Sequence, residues 1–351
     1  MITKLSLSAF LEASQHQLIA DVRTPAEFEQ GHILNAFNLP LFTNEERVII
    51  GTTFKQKGKE IAILQAFELI GPRWADFIRA AEEKCPDKKI LLHCWRGGMR
   101  SASMAWALNI YGFEVGLLEN GYKAYRTYCL DLLEKEYPII ILGGATGSAK
   151  TETLQAMKKF GEQVIDLELL ANHQGSSFGS LGKYIQPSQE QFENTLAIEL
   201  SQMNLNNKIW LENESVLIGK RVIPKKLFQQ MNEALVVNIN IAQAERIEFL
   251  NQVYGVLDKA FLKDSVIKIS KRLGPNESKL CIQAIEEGNT KEFISLVLVY
   301  YDKTYANGLS KRKQEDIYEI NFSKINPISN AKAIIDFCQQ AINKKNRNGR
   351  N

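Results

Sequence analysis

Hydrophobic and polar positions along this 351-residue chain fall into two successive rounds of short apolar runs followed by amphipathic stretches. The first round opens at Gln17 with QLIADV, a buried-strand pattern. RTPAEFEQGHI follows, in which Pro25 can open a short helix and Gly31 can end it. A second apolar run, KILLHC, leads into the loop WRGGMR and the apolar-periodic helix SASMAWALNIYG; FEVGLLENG then precedes a charged helix that closes at LEKEYP. The second round begins with the strand YPIIILGG, the helix KTETLQAMKKFG and the strand QVIDLE. Two further runs, KIWLENE and ALVVNINI, alternate with helical stretches such as SQEQFENTLAIELSQM. Strands alternating with helices predict an α/β fold in each half, with a largely parallel sheet.

Composition supports two globular units: 45% of residues are hydrophobic and 24% charged, and no internal repeat is present. The restart at Tyr137 places the domains at residues 1–136 and 137–343, followed by a basic tail, 344–351, expected to be disordered. Net charge is only +3, but the excess lies in the later part and ends in Lys344, Lys345, Arg347 and Arg350, which points to a polyanionic partner. The five cysteines form no CxxC pair and no Cys/His ligand cluster, so a reducing compartment is expected rather than a disulfide framework. No stretch reaches about 18 uninterrupted apolar residues, and the N-terminus lacks a signal-peptide pattern. The expectation is a cytoplasmic protein without membrane association.

Cys94 stands directly after the KILLHC strand, and Trp95 to Arg100 include Gly97 and Gly98 before a helix begins near Ser101. Such a turn aims backbone N–H groups and a helix N-terminus at its mouth, and Arg96 and Arg100 add positive charge. Cys94, Arg96 and Arg100 are therefore the candidate catalytic residues. Asp21 to Phe28 (DVRTPAEF), Gly31-His32-Ile33, Ala36 and Asn38-Leu39-Pro40 resemble the opening signature of rhodanese domains. His93-Cys94-x5-Arg100-Ser101 also fits the loop signature of cysteine-dependent phosphatases, one residue longer than typical sulfurtransferase loops, so the loop is sized for a phosphate-like anion.

In the second round, Gly143 to Thr151 (GGATGSAKT) nearly matches the phosphate loop G-x-x-x-x-G-K-[ST], with a strand before it and a helix after. Gly144, Gly147, Ser148, Lys150 and Thr151 are its candidate phosphate-binding residues, with Thr151 available to Mg²⁺. Ala149 replaces a glycine and is expected to keep negative φ. Asp166, Glu212 and Glu214 are the acidic candidates for the ion or its water, with Glu168 competing. The fold expected is thus a rhodanese-like domain followed by a P-loop NTPase-like α/β domain with C-terminal helical elements.

The segments CWRGGMRS from Cys94, GYKAYR from Gly121, DLE from Asp166, ANHQGSSFG from Ala171 and ENES from Glu212 with Ile218-Gly219, together with Tyr300, Tyr301, Asp302 and Tyr305, resemble the tRNA 2-selenouridine synthase family. That resemblance implies a two-step change of the wobble 2-thiouridine in a tRNA anticodon loop. Geranyl diphosphate first alkylates the sulfur, and selenium from selenophosphate then displaces the geranylthio group. It implies these two co-substrates and a P-loop that cradles the departing diphosphate, where Mg²⁺ can assist; no tightly bound cofactor is expected. Cys94 would act in the selenium step, by carrying selenium as a selenenylsulfide or by assisting displacement. His173, Lys220 and Arg221 are the candidate substrate or tRNA contacts, and Trp95 and Tyr122 the candidates to stack on an extruded base. Two other readings stay open. One is a rhodanese-fold cysteine phosphatase fused to a nucleotide-binding domain, although Trp95 to Met99 hold no general acid. The other is a non-catalytic, nucleotide-switched RNA-binding module.

Overall fold

The computed structural model describes residues 1–173 and 185–348, with side chains described through residue 340. The chain forms two compact units, Met1–Leu132 with Ser188–Ile198, and Leu133–Pro187 with Glu199–Asn351.

In the first unit, β1 (Ile2–Leu5), β2 (Ile19–Asp21), β3 (Phe37–Asn38), β4 (Lys89–His93) and β5 (Glu114–Leu118) form an all-parallel sheet in the order β1-β5-β4-β2-β3. The central β4 is apolar on both faces, with Ile90, Leu91 and Leu92 fully buried, as a strand covered by helices on two sides requires. The helix Pro25–Gln30 is set by a capping box in which the Thr24 hydroxyl accepts from Glu27 N–H and the Glu27 carboxylate accepts from Thr24 N–H. From β4 the chain moves outward to β5, whereas β2 leads to β3 on the other side. The crevice between the carboxyl ends of β4 and β2 is therefore the topological switch point, where ligands of open α/β sheets bind, and Cys94 follows β4 directly.

In the second unit, β6 (Ile139–Gly144), β7 (Gln163–Val164), β8 (Ile209–Glu212), β11 (Leu235–Ile241) and β12 (Ile317–Phe322) form a parallel sheet ordered β12-β11-β6-β8-β7. A small antiparallel hairpin joins β9 (Leu217–Ile218) to β10 (Arg221–Val222). Leu142, Leu154, Trp210, Val237 and Ile239 build the core of the sheet. The expected helical elements are Gln243–Tyr254, Lys259–Leu273, Pro275–Glu287 and Thr290–Leu309, which share a separate apolar core around Val266, Cys281 and Phe293.

Two boundaries differ from the sequence expectation. The units change at Leu132/Leu133, and Ser188–Ile198, placed by sequence in the later domain, belongs to the first. Polar partners tie it there: His32 N–H donates to Gln191 Oε1 at 2.8 Å, Asn194 Nδ2 donates to the Tyr122 hydroxyl at 2.7 Å, and Arg126 pairs with Glu193. The last helix, Pro327–Asn348, anchored by buried Ala331 and Ile334, continues past residue 344 into the stretch read as a tail. No helix among the described residues is long and apolar enough to cross a membrane.

Candidate active site

Cys94 is buried at the head of its loop, and its Sγ accepts from Gly98 N–H at 3.3 Å and from the Ser101 hydroxyl at 3.2 Å. The turn after β5 holds the loop from behind. Tyr122 N–H donates to Cys94 O at 2.8 Å and Lys123 N–H to Trp95 O at 3.0 Å. Gly121 makes this possible: its φ is +58°, and a Cβ there would lie 2.3 Å from Cys94 O.

Beneath the loop lies a buried polar group that sequence reasoning missed. Arg23 is fully buried; its Nε lies 3.0 and 2.9 Å from the two Asp21 oxygens, and Nη2 donates to Gly31 O at 2.6 Å. The guanidinium sits 3.8 Å from the centre of the Tyr122 ring, a cation–π contact in a desolvated setting. Buried His93 lies 3.7 Å from Asp21, and burial, partly opposed by the Asp21 charge, holds its pKa below the ordinary value.

Tyr122 is fully buried, donating to Glu190 Oε1 at 2.6 Å while accepting from Asn194. The expectation that it stacks on a base is thereby corrected, since no ring face is open to a ligand; Tyr122 packs between Arg23 and Trp95. Trp95 keeps 36% of its surface exposed and remains accessible.

Arg100 differs from expectation as well. It forms a two-pronged pair with Glu27 at 2.6 and 3.3 Å, so part of its charge is already matched. Burial raises the Glu27 pKa, but the Arg100 hydrogen bond and charge and the Thr24 N–H outweigh it and leave the carboxyl below its ordinary value. Glu27 is thus an ionised partner, not a general acid. Arg96 is exposed and has no salt-bridge partner among the described residues. The sequence signal for Glu27 was present in Thr24-x-x-Glu27, but a capping box does not foretell a long-range ion pair.

In the second unit, β6 runs into the phosphate loop, and the helix Lys150–Lys159 starts at its end. Lys150 Nζ donates to Gly144 O at 2.9 Å, spanning the loop. Tyr305 and Arg246 brace it from outside: Gly144 N–H donates to the Tyr305 hydroxyl at 2.6 Å, and Arg246, paired with Asp302, donates to Thr146 O at 3.0 Å. Gly147 has φ +82°, and Ser148 is buried. Ala149 overturns the expectation of negative φ, for it sits at φ +55°, ψ +41°, the left-handed conformation that the motif's glycine would adopt. An L-residue with a Cβ is strained there by about 1–2 kcal/mol. After the unfolded-state entropy of glycine is subtracted, Ala149→Gly is expected to raise stability by roughly 0.5–1 kcal/mol in urea titration. A lower stability would contradict the strain.

Thr151 Oγ1 donates to Glu212 Oε1 at 2.9 Å and lies 3.2 Å from Glu168 Oε2. Carboxylate oxygens of Glu168, Glu212 and Glu214 lie within 4.8 Å of one another. Glu212, 1% exposed, has one oxygen, Oε2, with no hydrogen-bond partner among the described residues. Burial first, then the neighbouring Glu168, Asp166 and Glu214 charges, push the Glu212 pKa well up. Burial and Glu168, opposed by Lys150, push Glu214 to about 8. An all-oxygen donor set with an orphaned buried oxygen fits a hard divalent cation such as Mg²⁺. Asp166 is outside this group: it caps the short helix after β7, accepting from Leu169 N–H at 2.8 Å and from Gln155 Nε2 at 2.7 Å. Of the competing candidates Asp166 and Glu168, Glu168 is the one that joins Glu212 and Glu214.

These raised values have a sign. A carboxyl whose folded pKa lies above its unfolded value contributes stability at low pH that is lost as pH rises through the folded value. Without divalent cation, the contribution of Glu214 to thermal stability is expected to decline between about pH 4.5 and 8. Added Mg²⁺ is expected to offset the decline, with stabilisation growing as pH rises; a Mg²⁺ effect independent of pH, read by thermal denaturation, would contradict the site.

The remaining candidates lie elsewhere in the second unit. His173 is half-buried, its N–H donating to Glu168 O at 3.0 Å and its ring lying against Gly219 in the β9–β10 turn. Lys220 is exposed on that turn, and Arg221 is half-buried on β10. Gln174 to Gly179 of the ANHQGSSFG segment lie outside the described residues.

Residues 137–334 match the family described as the tRNA 2-selenouridine synthase AAA domain, and residues 3–128 match the rhodanese-like domain family. Among full-length relatives, the tRNA 2-selenouridine synthase of Shewanella frigidimarina is 33% identical over 345 residues, covering 87% of this chain and 92% of the relative. That of Shewanella denitrificans is 34% identical over 348 residues, covering 89% and 93%. The enzyme of the same name from Aeromonas salmonicida is 33% identical over 338 residues, covering 86% and 89%. With the rhodanese unit, the phosphate-loop unit and these near-complete matches in one order, the chain belongs to the tRNA 2-selenouridine synthase family.

Proposed function

We propose that this enzyme converts the wobble 2-thiouridine of tRNA to 2-selenouridine through an S-geranyl-2-thiouridine intermediate, using geranyl diphosphate and then selenophosphate. The observation that carries it is the near-complete match to enzymes named tRNA 2-selenouridine synthase, joined to two anion sites of different character. One is a cysteine loop; the other is a phosphate loop with a carboxylate cluster.

In the first step the thiocarbonyl sulfur attacks C1 of the geranyl chain, and the C–O bond breaks to release diphosphate. Lys150 and the loop amides after Gly144, whose own N–H is taken by the Tyr305 hydroxyl, stabilise the charge that develops on the leaving group. Mg²⁺, when bound, would be held by Thr151, Glu212, Glu214 and Glu168 and would neutralise phosphate oxygens. No nucleotide hydrolysis is needed, because the donor is already activated.

In the second step selenium attacks C2 of the base, and its bond to phosphorus passes to water, yielding phosphate. The C2–S bond breaks, and geranylthiol leaves with the displaced electron pair and a proton. Selenium in selenophosphate is already fully reduced, so a selenenylsulfide on Cys94 would call for an added oxidant. Assistance to displacement calls for none. Cys94 therefore attacks C2, expels the geranylthiolate and is expelled in turn by selenium, a nucleophilic route that divides one hard displacement into two. Arg96 and the amide dipoles of the loop hold the selenophosphate oxygens, while Arg100, fixed by Glu27, supplies positive potential behind them. Arg221, Lys220 and His173 are the tRNA-facing candidates of the second unit.

Incubating a 2-thiouridine stem-loop RNA with protein, geranyl diphosphate and radiolabelled selenophosphate tests the assignment. Label is expected in the RNA; phosphate release from an aryl phosphate with no label in RNA would favour the phosphatase reading instead.

A further inference from the structure

The Cys94 loop opens, within the first unit, onto a groove of about 1280 Å³ that neither anion chemistry nor sheet packing explains. One wall comes from the successive helices Asn44–Lys57 and Lys59–Ile70, the other from the helix Met99–Ile110. Both present large apolar side chains that folding has left uncovered: Val48 is 67% exposed, Phe67 54% and Trp106 57%. Exposed apolar side chains gathered in one concave surface mark a binding site. A cysteine loop that handled only a phosphate-sized anion would have no use for it.

The rim carries the opposite character. Arg47, Lys55 and Arg96 line the groove, are exposed, and have no carboxylate partner within salt-bridge distance among the described residues. The occupant must therefore combine a long apolar group with a polyanion, and must present the junction of the two to Cys94.

We propose that this groove holds the isoprenoid chain of the S-alkylated tRNA base during the selenium step, with Arg47 and Lys55 taking the flanking RNA phosphates while Arg96 stays with the selenophosphate. The inference rests on the two-step reading above and locates its intermediate. The chain lies between Phe67 and Trp106, which aims C2 of the base at the Cys94 sulfur and leaves the departing thiol in an apolar channel. Selectivity follows directly: unmodified 2-thiouridine lacks the group that the groove recognises, so selenium is not spent on tRNA that has skipped alkylation.

The test compares single-turnover selenation of a stem-loop RNA carrying S-geranyl- or S-methyl-2-thiouridine. With each buried methylene contributing about fourfold, partial burial of the chain is expected to favour the geranyl RNA by ~100-fold or more in kcat/KM. Phe67→Glu, a change at a half-exposed position, is expected to reduce that ratio below ~10. Equal rates on the two RNAs, or a ratio untouched by Phe67→Glu, would overturn the groove while leaving the two-step route intact, because selenouridine would still form. If neither RNA is selenated, the route fails, and tryptophan emission decides the groove separately, since Trp74, Trp95 and Trp106 all line it. Tighter binding of geranyl than methyl RNA, lost in Phe67→Glu, supports the groove; equal binding refutes it.

Discussion

Replacing Cys94 with alanine is expected to lower 2-selenouridine formation by about 10³-fold or more, while S-geranyl-2-thiouridine accumulates in the same tRNA. The sulfur is the only atom removed, and the backbone grip on the loop, Tyr122 N–H to Cys94 O and Lys123 N–H to Trp95 O, does not depend on it. The loss should therefore report chemistry rather than folding, with an unchanged melting temperature as the control. Nucleoside chromatography reads both products. A normal selenouridine yield would remove Cys94 from the reaction, and loss of both products would place it in alkylation instead.

The converse variant, Lys150→Ala, should separate the steps in the opposite sense. Removing one preorganised charge from a leaving-group site typically lowers the rate by about 10²–10³-fold, and alkylation by geranyl diphosphate is expected to fall by that amount. Selenation of RNA supplied already geranylated should be retained, because the Cys94 loop has its own anion donors. The comparison is informative because Lys150 donates to Gly144 O, so a merely structural lysine would lower stability and depress both steps together. Wild-type alkylation in the variant would mean that the diphosphate sits elsewhere.

Much of this organisation was legible from residue patterns. Runs such as KILLHC and YPIIILGG became β4 and β6, because parallel strands covered on both faces have no polar side. The Pro25 start and Gly31 stop of the helix Pro25–Gln30 were equally plain, since helix ends are local chemistry. The two-residue strands β3, β9 and β10 were not, being too short for any period to register, and the strand read over QVIDLE is only two residues long, Gln163–Val164. Nor was the capture of Ser188–Ile198 by the first unit, which depends on partners such as Asn194 and Tyr122 that lie far apart in sequence.

The same division holds for the candidate site. Cys94 and Lys150 could be singled out because their loops have fixed spacing. Glu168 and Asp166 could not be ranked, because one turn of helix decides which carboxylate faces Thr151. Ala149 defied a rule of local sterics: the loop imposes φ +55° whatever the residue, and the cost is borne by the rest of the fold. Tyr122 looked like a base-stacking residue by type alone, and only burial revealed it as the packing partner of Arg23.

The most direct measurement is a time course of nucleosides, by mass spectrometry, from 2-thiouridine-containing tRNA incubated with this protein, geranyl diphosphate and selenophosphate. The account predicts that S-geranyl-2-thiouridine rises first and then declines as 2-selenouridine replaces it, with no selenouridine when geranyl diphosphate is withheld. Selenouridine formed at full rate without geranyl diphosphate, or neither product formed with both donors present, would contradict it.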